Sequence, residues 1–204
     1  PNWYDFLAGV PYRRASVLEL IQRFAEETPS VSLLMGSSAS GKSVIARHVG
    51  FDAATREARA VLFVDIPGTL RQTGSLQGAL VSIRRACDTA QPDAAWAEAQ
   101  QEALPLLIME DLHRAEREAA EDFLRELAQS PPSAHVIITS REVEPEASSG
   151  LRSYALALAD VVVVDANIRQ PSDEDWVGTV RHLWRQRWEL SGADVPFELS
   201  RDNF

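Results

Sequence analysis

The chain has 204 residues, 45% hydrophobic and 25% charged, enough apolar material for one globular core and too much for a disordered or fibrous protein. Its formal net charge of -10 argues against a protein that coats nucleic acid, because that binding draws on clustered lysine and arginine. No stretch approaches the roughly 20 apolar residues of a membrane span, the start Pro1-Asn2-Trp3-Tyr4-Asp5 carries no basic-then-apolar export signal, and the single cysteine, Cys87, excludes an internal disulfide framework and a cysteine-based zinc site; a cytoplasmic chain is expected.

In chain order, Trp3 to Pro11 is apolar but irregular, suited either to cover a flat purine ring or to strap the N-terminus to the core. Ser16-Val17-Leu18-Glu19 then reads as a capping box, with Val17, Leu18, Leu20, Ile21 and Phe24 at helical spacing up to Thr28-Pro29. Val31 to Met35 reads as a buried strand. It feeds Gly36-Ser37-Ser38-Ala39-Ser40-Gly41-Lys42-Ser43, which fits the phosphate-loop pattern G-x-x-x-x-G-K-[ST] at every required position, and Ser43 to Val49 reads as the first turns of a helix leaving the loop.

Each residue type in that loop has a physical task. Gly36 and Gly41 allow a tight turn that aims consecutive N–H groups at phosphate oxygens, and the helix N-terminus adds partial positive charge. Lys42 reaches the β- and γ-phosphates, and the Ser43 hydroxyl suits Mg2+, a hard cation that prefers oxygen. The residues expected to line the nucleotide, ATP or ADP, are Gly36, Ser37, Ser38, Ala39, Ser40, Gly41, Lys42, Ser43 and Val44. The plain alternative is a Gly/Ser-rich turn that carries a lysine by chance. Against it, Lys42 is the only lysine in a chain that otherwise uses arginine, which points to a need for a compact ammonium at this position.

Ala60 to Ile66 reads as a second strand, and Leu76, Leu80, Ile83 and Cys87 mark the apolar face of the next helix; Asp93 to Ala103 reads as a solvated helix. Leu104 to Met109 reads as a third strand, with Pro105 tolerable only near its start. It ends in Glu110-Asp111. Carboxylates at the C-terminal end of a strand downstream of a phosphate loop suit the phosphate-bound metal and its water. As neighbours at a strand end, the two acids point in different directions: Glu110 is assigned to the metal shell with Ser43, and Asp111 to the attacking water. Their bland reading is a solvated strand end before a helix whose face is Phe123, Leu124 and Leu127. His113 reads as an exposed loop histidine.

His135 to Thr139 reads as a fourth strand ending in Ser140-Arg141, where Arg141 either faces the γ-phosphate or pairs with Glu142. Glu142 to Leu151 has loop composition. Val161 to Val164 reads as a fifth strand ending in Asp165. Beyond it, Pro171-Ser172-Asp173-Glu174 reads as a helix start, with Trp176, Val180, Leu183, Trp184 and Trp188 on one face. Strands alternating with helices imply an α/β three-layer sandwich, with a five-stranded, mostly parallel sheet covered by helices on both faces. Residues 1–168 form the expected nucleotide-binding domain, and 169–204 open a helical subdomain or a C-terminal helical cover.

With Gly36 to Ser43, Leu106 to Asp111 and Val136 to Arg141 on successive strands, the chain resembles the STAND branch of AAA+-like P-loop NTPases, which includes NB-ARC and NACHT modules. The resemblance implies a sheet order of 5-1-4-3-2, an acidic strand end at Met109 to Ala115, and a sensor strand at Ile137 to Arg141 whose arginine detects the γ-phosphate. It also implies a Mg2+-dependent ATPase switch that self-associates in its ATP state and works with effector or sensor domains. Three departures stand out: Glu110 where the family usually has aspartate, a Gly9 not followed by arginine, and no winged-helix histidine. The Glu-Asp order also suits a nucleotide-binding scaffold with little turnover, and an AAA+ ATPase acting on DNA would carry a similar site.

Overall fold

Five runs dense in valine, isoleucine and leucine form the centre of the computed structural model, which describes residues 5–6, 12–24, 28–57, 59–89, 104–141, 150–167, 178–179 and 182. The strands are β1 (Val31–Gly36), β2 (Val61–Asp65), β3 (Leu106–Glu110), β4 (His135–Arg141) and β5 (Val161–Asp165). They pair in parallel throughout, in the order β2-β3-β4-β1-β5, which is the expected 5-1-4-3-2 read from the other edge. Near-continuous apolar runs are what a sheet covered on both faces requires. All six residues of β1 are buried.

The helices are α1 (Ala15–Arg23), α2 (Lys42–Arg56), α3 (Ile66–Thr73), α4 (Leu76–Thr89), α5 (Arg117–Gln129) and α6 (Leu151–Leu156). Side chains alternate across each strand, so β3 sends Leu106 and Ile108 to one face and Leu107 and Met109 to the other. On the first face they meet Val17, Leu20 and Phe24 of the α1 segment and Ile45 and Val49 of α2. On the second they meet Leu80 and Ile83 of α4 and Phe123, Leu124 and Leu127 of α5. Each such buried side chain contributes about 1.5–3 kcal/mol of transfer free energy. The result is the three-layer sandwich. Its alternation also puts Glu110 on the α2 side, in line with Leu106 and Ile108.

Several local expectations change. Ile66 does not extend β2. It starts α3, because the Asp65 carboxylate caps the helix by accepting from Gly68 N–H at 3.0 Å and Pro67 suits the first turn. The third strand begins at Leu106, after Pro105, and takes in Glu110. The capping box at Ser16 does not form. Arg14 is the N-cap, without a side-chain cap bond, and Ser16 sits inside the first turn with its hydroxyl buried and unpartnered among the described residues. The stretch after 151, for which no helix is expected, forms α6.

Phe6 is buried and packs on α2, its ring 5.2 Å from His48 and 5.7 Å from Phe51, as a strap requires; the rest of Trp3 to Pro11 apart from Asp5 lies outside the described residues. Arg13 and Arg56 both pair with the buried Asp52 of α2. Tyr12 packs so closely on Gly178 that a Cβ there would have no room, and its ring lies 6.0 Å from His182. The expected solvated helix at 93–103, the loop 142–149, the 168/169 boundary and the aromatic face built on Trp176 lie outside the described residues.

Candidate functional site

The ends of β1, β3 and β4 lie side by side at one edge of the sheet, and parallel pairing brings three charged segments together there. Gly36 ends β1 in register with Arg141, the last residue of β4. Ser37 to Ser40 turn outward, and Gly41 begins α2 as its N-cap with φ 87°, a left-handed conformation that glycine adopts without steric cost. Ala39 is also left-handed, with φ 62°, at a cost of roughly 1–2 kcal/mol. Such residues curl the chain into a concavity of amide groups that favours anions. Lys42 and Ser43 follow in the first turn of α2, Ser43 exposed and Val44 half-buried.

The loop is tied from several directions. Lys42 Nζ donates to Gly36 O at 2.9 Å, Ser37 O at 2.6 Å and Ser40 Oγ at 3.3 Å, holding the ammonium across the loop's own carbonyls. The buried Arg14 donates from Nη1 to Ser40 O at 2.6 Å and from Nη2 to Ala166 O at 2.8 Å, joining the loop to the end of β5. Ser37 N–H donates to Asn167 Oδ1 at 2.7 Å, and Asn167 N–H in turn donates to Asp165 Oδ1 at 2.8 Å. A Cβ at Gly36 would come within 3.1 Å of Asn167 Oδ1 and 3.3 Å of Ala166 Cβ, so only glycine allows this approach without displacement.

At the end of β3 the two acids occupy different backbone states. Glu110 is the last strand residue. Its Oε2 accepts from Arg47 Nη2 at 3.1 Å, while Oε1 is buried with no partner among the described residues. Asp111 has left the strand, with φ 69°, and its N–H donates to Thr139 Oγ1 of β4 at 3.2 Å. Its carboxylate lies 3.4 Å from Arg114 Nε. The divergence of the two side chains therefore comes from this left-handed turn, not from strand alternation alone.

Electrostatics places Lys42, Asp111 and Arg141 in one field. Burial pushes the Lys42 ammonium below its usual range, the Asp111 carboxylate opposes the shift, and the Arg141 guanidinium adds to it. Arg141 itself is exposed. His113 is half-buried in a 3-10 turn (Leu112–Arg114), not in an exposed loop; its Nδ1 is buried and unpartnered among the described residues. Burial lowers its pKa, Asp111 raises it, and Arg114, Lys42 and Arg141 lower it further.

The donor set suits a hard cation shared with phosphate. A hydroxyl (Ser43) and a carboxylate with one orphaned buried oxygen (Glu110 Oε1) are oxygen ligands of the type Mg2+ takes beside substrate phosphates. Among the described residues no group of three or more His, Cys, Asp or Glu forms a protein-only metal cage. Sequence reasoning names the loop, Glu110, Asp111 and Arg141, but it misses Arg14, Arg47 and Asn167. Of these, only Asn167 had a signal, its position just past the C-terminal end of a strand.

No family model matches the chain, and no curated protein sequence does. Solved structures do match in fold. The replication initiator DnaA bound to AMPPCP and single-stranded DNA superposes with a TM-score of 0.51 at 12% identity, over 92% of this chain and 52% of that one. The Aeropyrum pernix ORC1 protein in complex with DNA gives 0.50 at 14%, over 88% and 50%. A DNA polymerase III gamma subunit-related protein from Thermotoga maritima gives 0.50 at 15%, over 86% and 52%. The chain thus has the fold of AAA+ P-loop NTPases, and it spans about half the length of these structures.

Proposed function

We propose that this chain is the ATP-binding and hydrolysing switch module of a larger STAND-type signalling or defence NTPase, whose ATP state favours self-association. The observation that supports this most is that the sheet order brings the Gly36 to Ser43 loop at the end of β1, Arg141 at the end of β4 in register with Gly36, and Glu110-Asp111 at the end of β3 to one edge. Residues 1–168 are assigned to the nucleotide-binding domain, and 169–204 to the start of a helical subdomain or a C-terminal helical cover. No described helix is long and apolar enough to cross a membrane, and none is needed for this role.

Hydrolysis follows from the roles of the chain's own groups. Loop amides and Lys42 hold the β- and γ-phosphates, and Arg141 neutralises charge on the γ-phosphate as it transfers. Asp111 orients the attacking water and accepts its proton. Ser43 and Glu110 would hold Mg2+, directly or through water, where it would neutralise phosphate charge. Arg141 is the group that distinguishes ATP from ADP. A second reading, an AAA+ ATPase acting on DNA, is favoured by the DNA present in the DnaA and ORC1 structures, while the net charge of -10 weighs against it.

Turnover and association test the proposal together. Phosphate release from Mg-ATP, measured across a concentration series, is expected to be slow in the dilute chain and faster per chain when it is concentrated. Light scattering is expected to show a larger species with ATP than with ADP. Tight nucleotide binding without turnover at any concentration replaces the switch with a scaffold, and turnover stimulated by single-stranded DNA moves the assignment to the second reading.

A further inference from the structure

We infer that Arg47 is a positioning residue that aims Glu110 at the metal and so fixes the division of labour between Glu110 and Asp111; this rests on the nucleotide-site reading above. Ser43 and Arg47 are four residues apart on α2 and therefore share one face, one turn apart. Glu110 ends β3 on the side that faces α2, and its carboxylate reaches this face: Arg47 Nη2 donates to Oε2 at 3.1 Å. The other oxygen, Oε1, is buried and has no partner among the described residues. One oxygen is thus anchored to the α2 face that also carries Ser43, and the other is left as a pure acceptor.

The ion pair is poorly placed to serve stability. Arg47 is 42% exposed and Glu110 21% exposed, and a single contact between partly solvated groups adds little to folding. What it does is remove rotamer freedom from a glutamate, whose longer side chain has one more torsion to restrain than the aspartate usual in such sites. A buried carboxylate oxygen without its anchor would turn toward water. Asp111 needs no such tether, because the Thr139 bond to its N–H and its left-handed turn set its direction. Arg47 also occupies Oε2, which leaves Glu110 with one oxygen for the metal shell, while Asp111, more exposed and paired with Arg114 at 3.4 Å, is left for the water.

The test is calorimetric binding of AMPPCP, which is not hydrolysed at the β–γ bridge, to the full chain over a Mg2+ series and in excess EDTA. Arg47→Gln is expected to raise the Mg2+ concentration for half-maximal enhancement about tenfold or more, the scale of losing an orienting contact behind a metal ligand, and to leave binding in EDTA and the melting temperature unchanged. Arg47→Lys should restore most of the effect. In a Glu110→Gln background, Arg47→Gln should change nothing further. A lower Mg2+ requirement in Arg47→Gln would show that the pair competes with the metal and overturn the inference, as would an equal loss in both backgrounds or a loss confined to EDTA. Wild-type chain that takes no AMPPCP at all overturns the nucleotide-site reading and this inference with it, whereas binding with an unaltered Mg2+ series removes Arg47 alone.

Discussion

At the end of β1, charge is presented by a local loop: a left-handed Gly41, a left-handed Ala39 and the Lys42 ammonium laid across the loop's own carbonyls. At the end of β3 it is presented by side chains that other elements hold: Arg47 of α2 on Glu110, and Thr139 of β4 behind Asp111. The loop needs close approach, which glycine allows, while the acids need direction, which only tertiary partners give. Substitutions in the two regions should therefore fail differently. Those at the loop should remove binding, those at Asp111 should leave binding and remove chemistry, and those at Glu110 should weaken Mg2+-dependent binding first.

The sharpest separation is expected from Asp111→Asn. It keeps the left-handed turn that asparagine tolerates and should retain Mg-ATP with near wild-type affinity, while single-turnover hydrolysis falls by about 100-fold to 10,000-fold, the scale of losing a general base. Normal hydrolysis in this variant combined with binding but no hydrolysis in Glu110→Gln would exchange the two roles. Lys42→Ala should do the reverse, weakening ATP binding roughly 30-fold to several thousand-fold with the fold intact; an unchanged titration would show that the Gly36 to Ser43 loop does not bind phosphate.

Arg141, in register with Gly36, sits between the two regions. Arg141→Ala should weaken ATP binding by roughly tenfold or more and ADP binding much less, because only the triphosphate offers a γ-phosphate to a charge-assisted bond. Equal losses for both nucleotides would make Arg141 a general phosphate contact. The smallest effect lies away from the edge, at His48. Burial holds its imidazole below the usual 6.5, with Asp52 opposing and Arg13 and Arg56 adding to the shift. The unfolded chain then takes up the proton first, so stability present above pH 6.5 is lost as the pH falls through the lower folded value. Thermal melts between pH 7.5 and 5 should show this decline, shallower in His48→Gln; equal slopes would assign it to other groups.

The two regions also differ in how much of them is legible in a sequence. The loop is local: eight consecutive residues carry its spacing, its glycines and its lysine. β1, β3 and β4 are legible because burial on both faces leaves apolar runs, and the edge strand β2 keeps such a run although Phe63 is exposed. Glu110 and Asp111 are legible in place but not in posture, since the turn at Asp111 is left-handed at a non-glycine residue. α3 and α6 have 8 and 6 residues, too few turns to show a periodicity. Ser16 mimics a cap because the residue that sets the entry of α1 is Arg14, held through bonds 26 and 152 residues away. Arg47 meets Glu110 across 63 residues and Asn167 meets Ser37 across 130, distances that only the sheet order closes.

Native mass spectrometry of the freshly purified chain, with and without added Mg-ATP, reports directly whether the Gly36 to Ser43 loop holds a nucleotide. One nucleotide per chain is expected at saturation, with Mg2+ retained, and none on Lys42→Ala under the same conditions. A wild-type chain that stays bare in Mg-ATP at cellular concentration, or a Lys42→Ala chain that binds as the wild type does, would contradict the claim that the Gly36 to Ser43 loop is a nucleotide site.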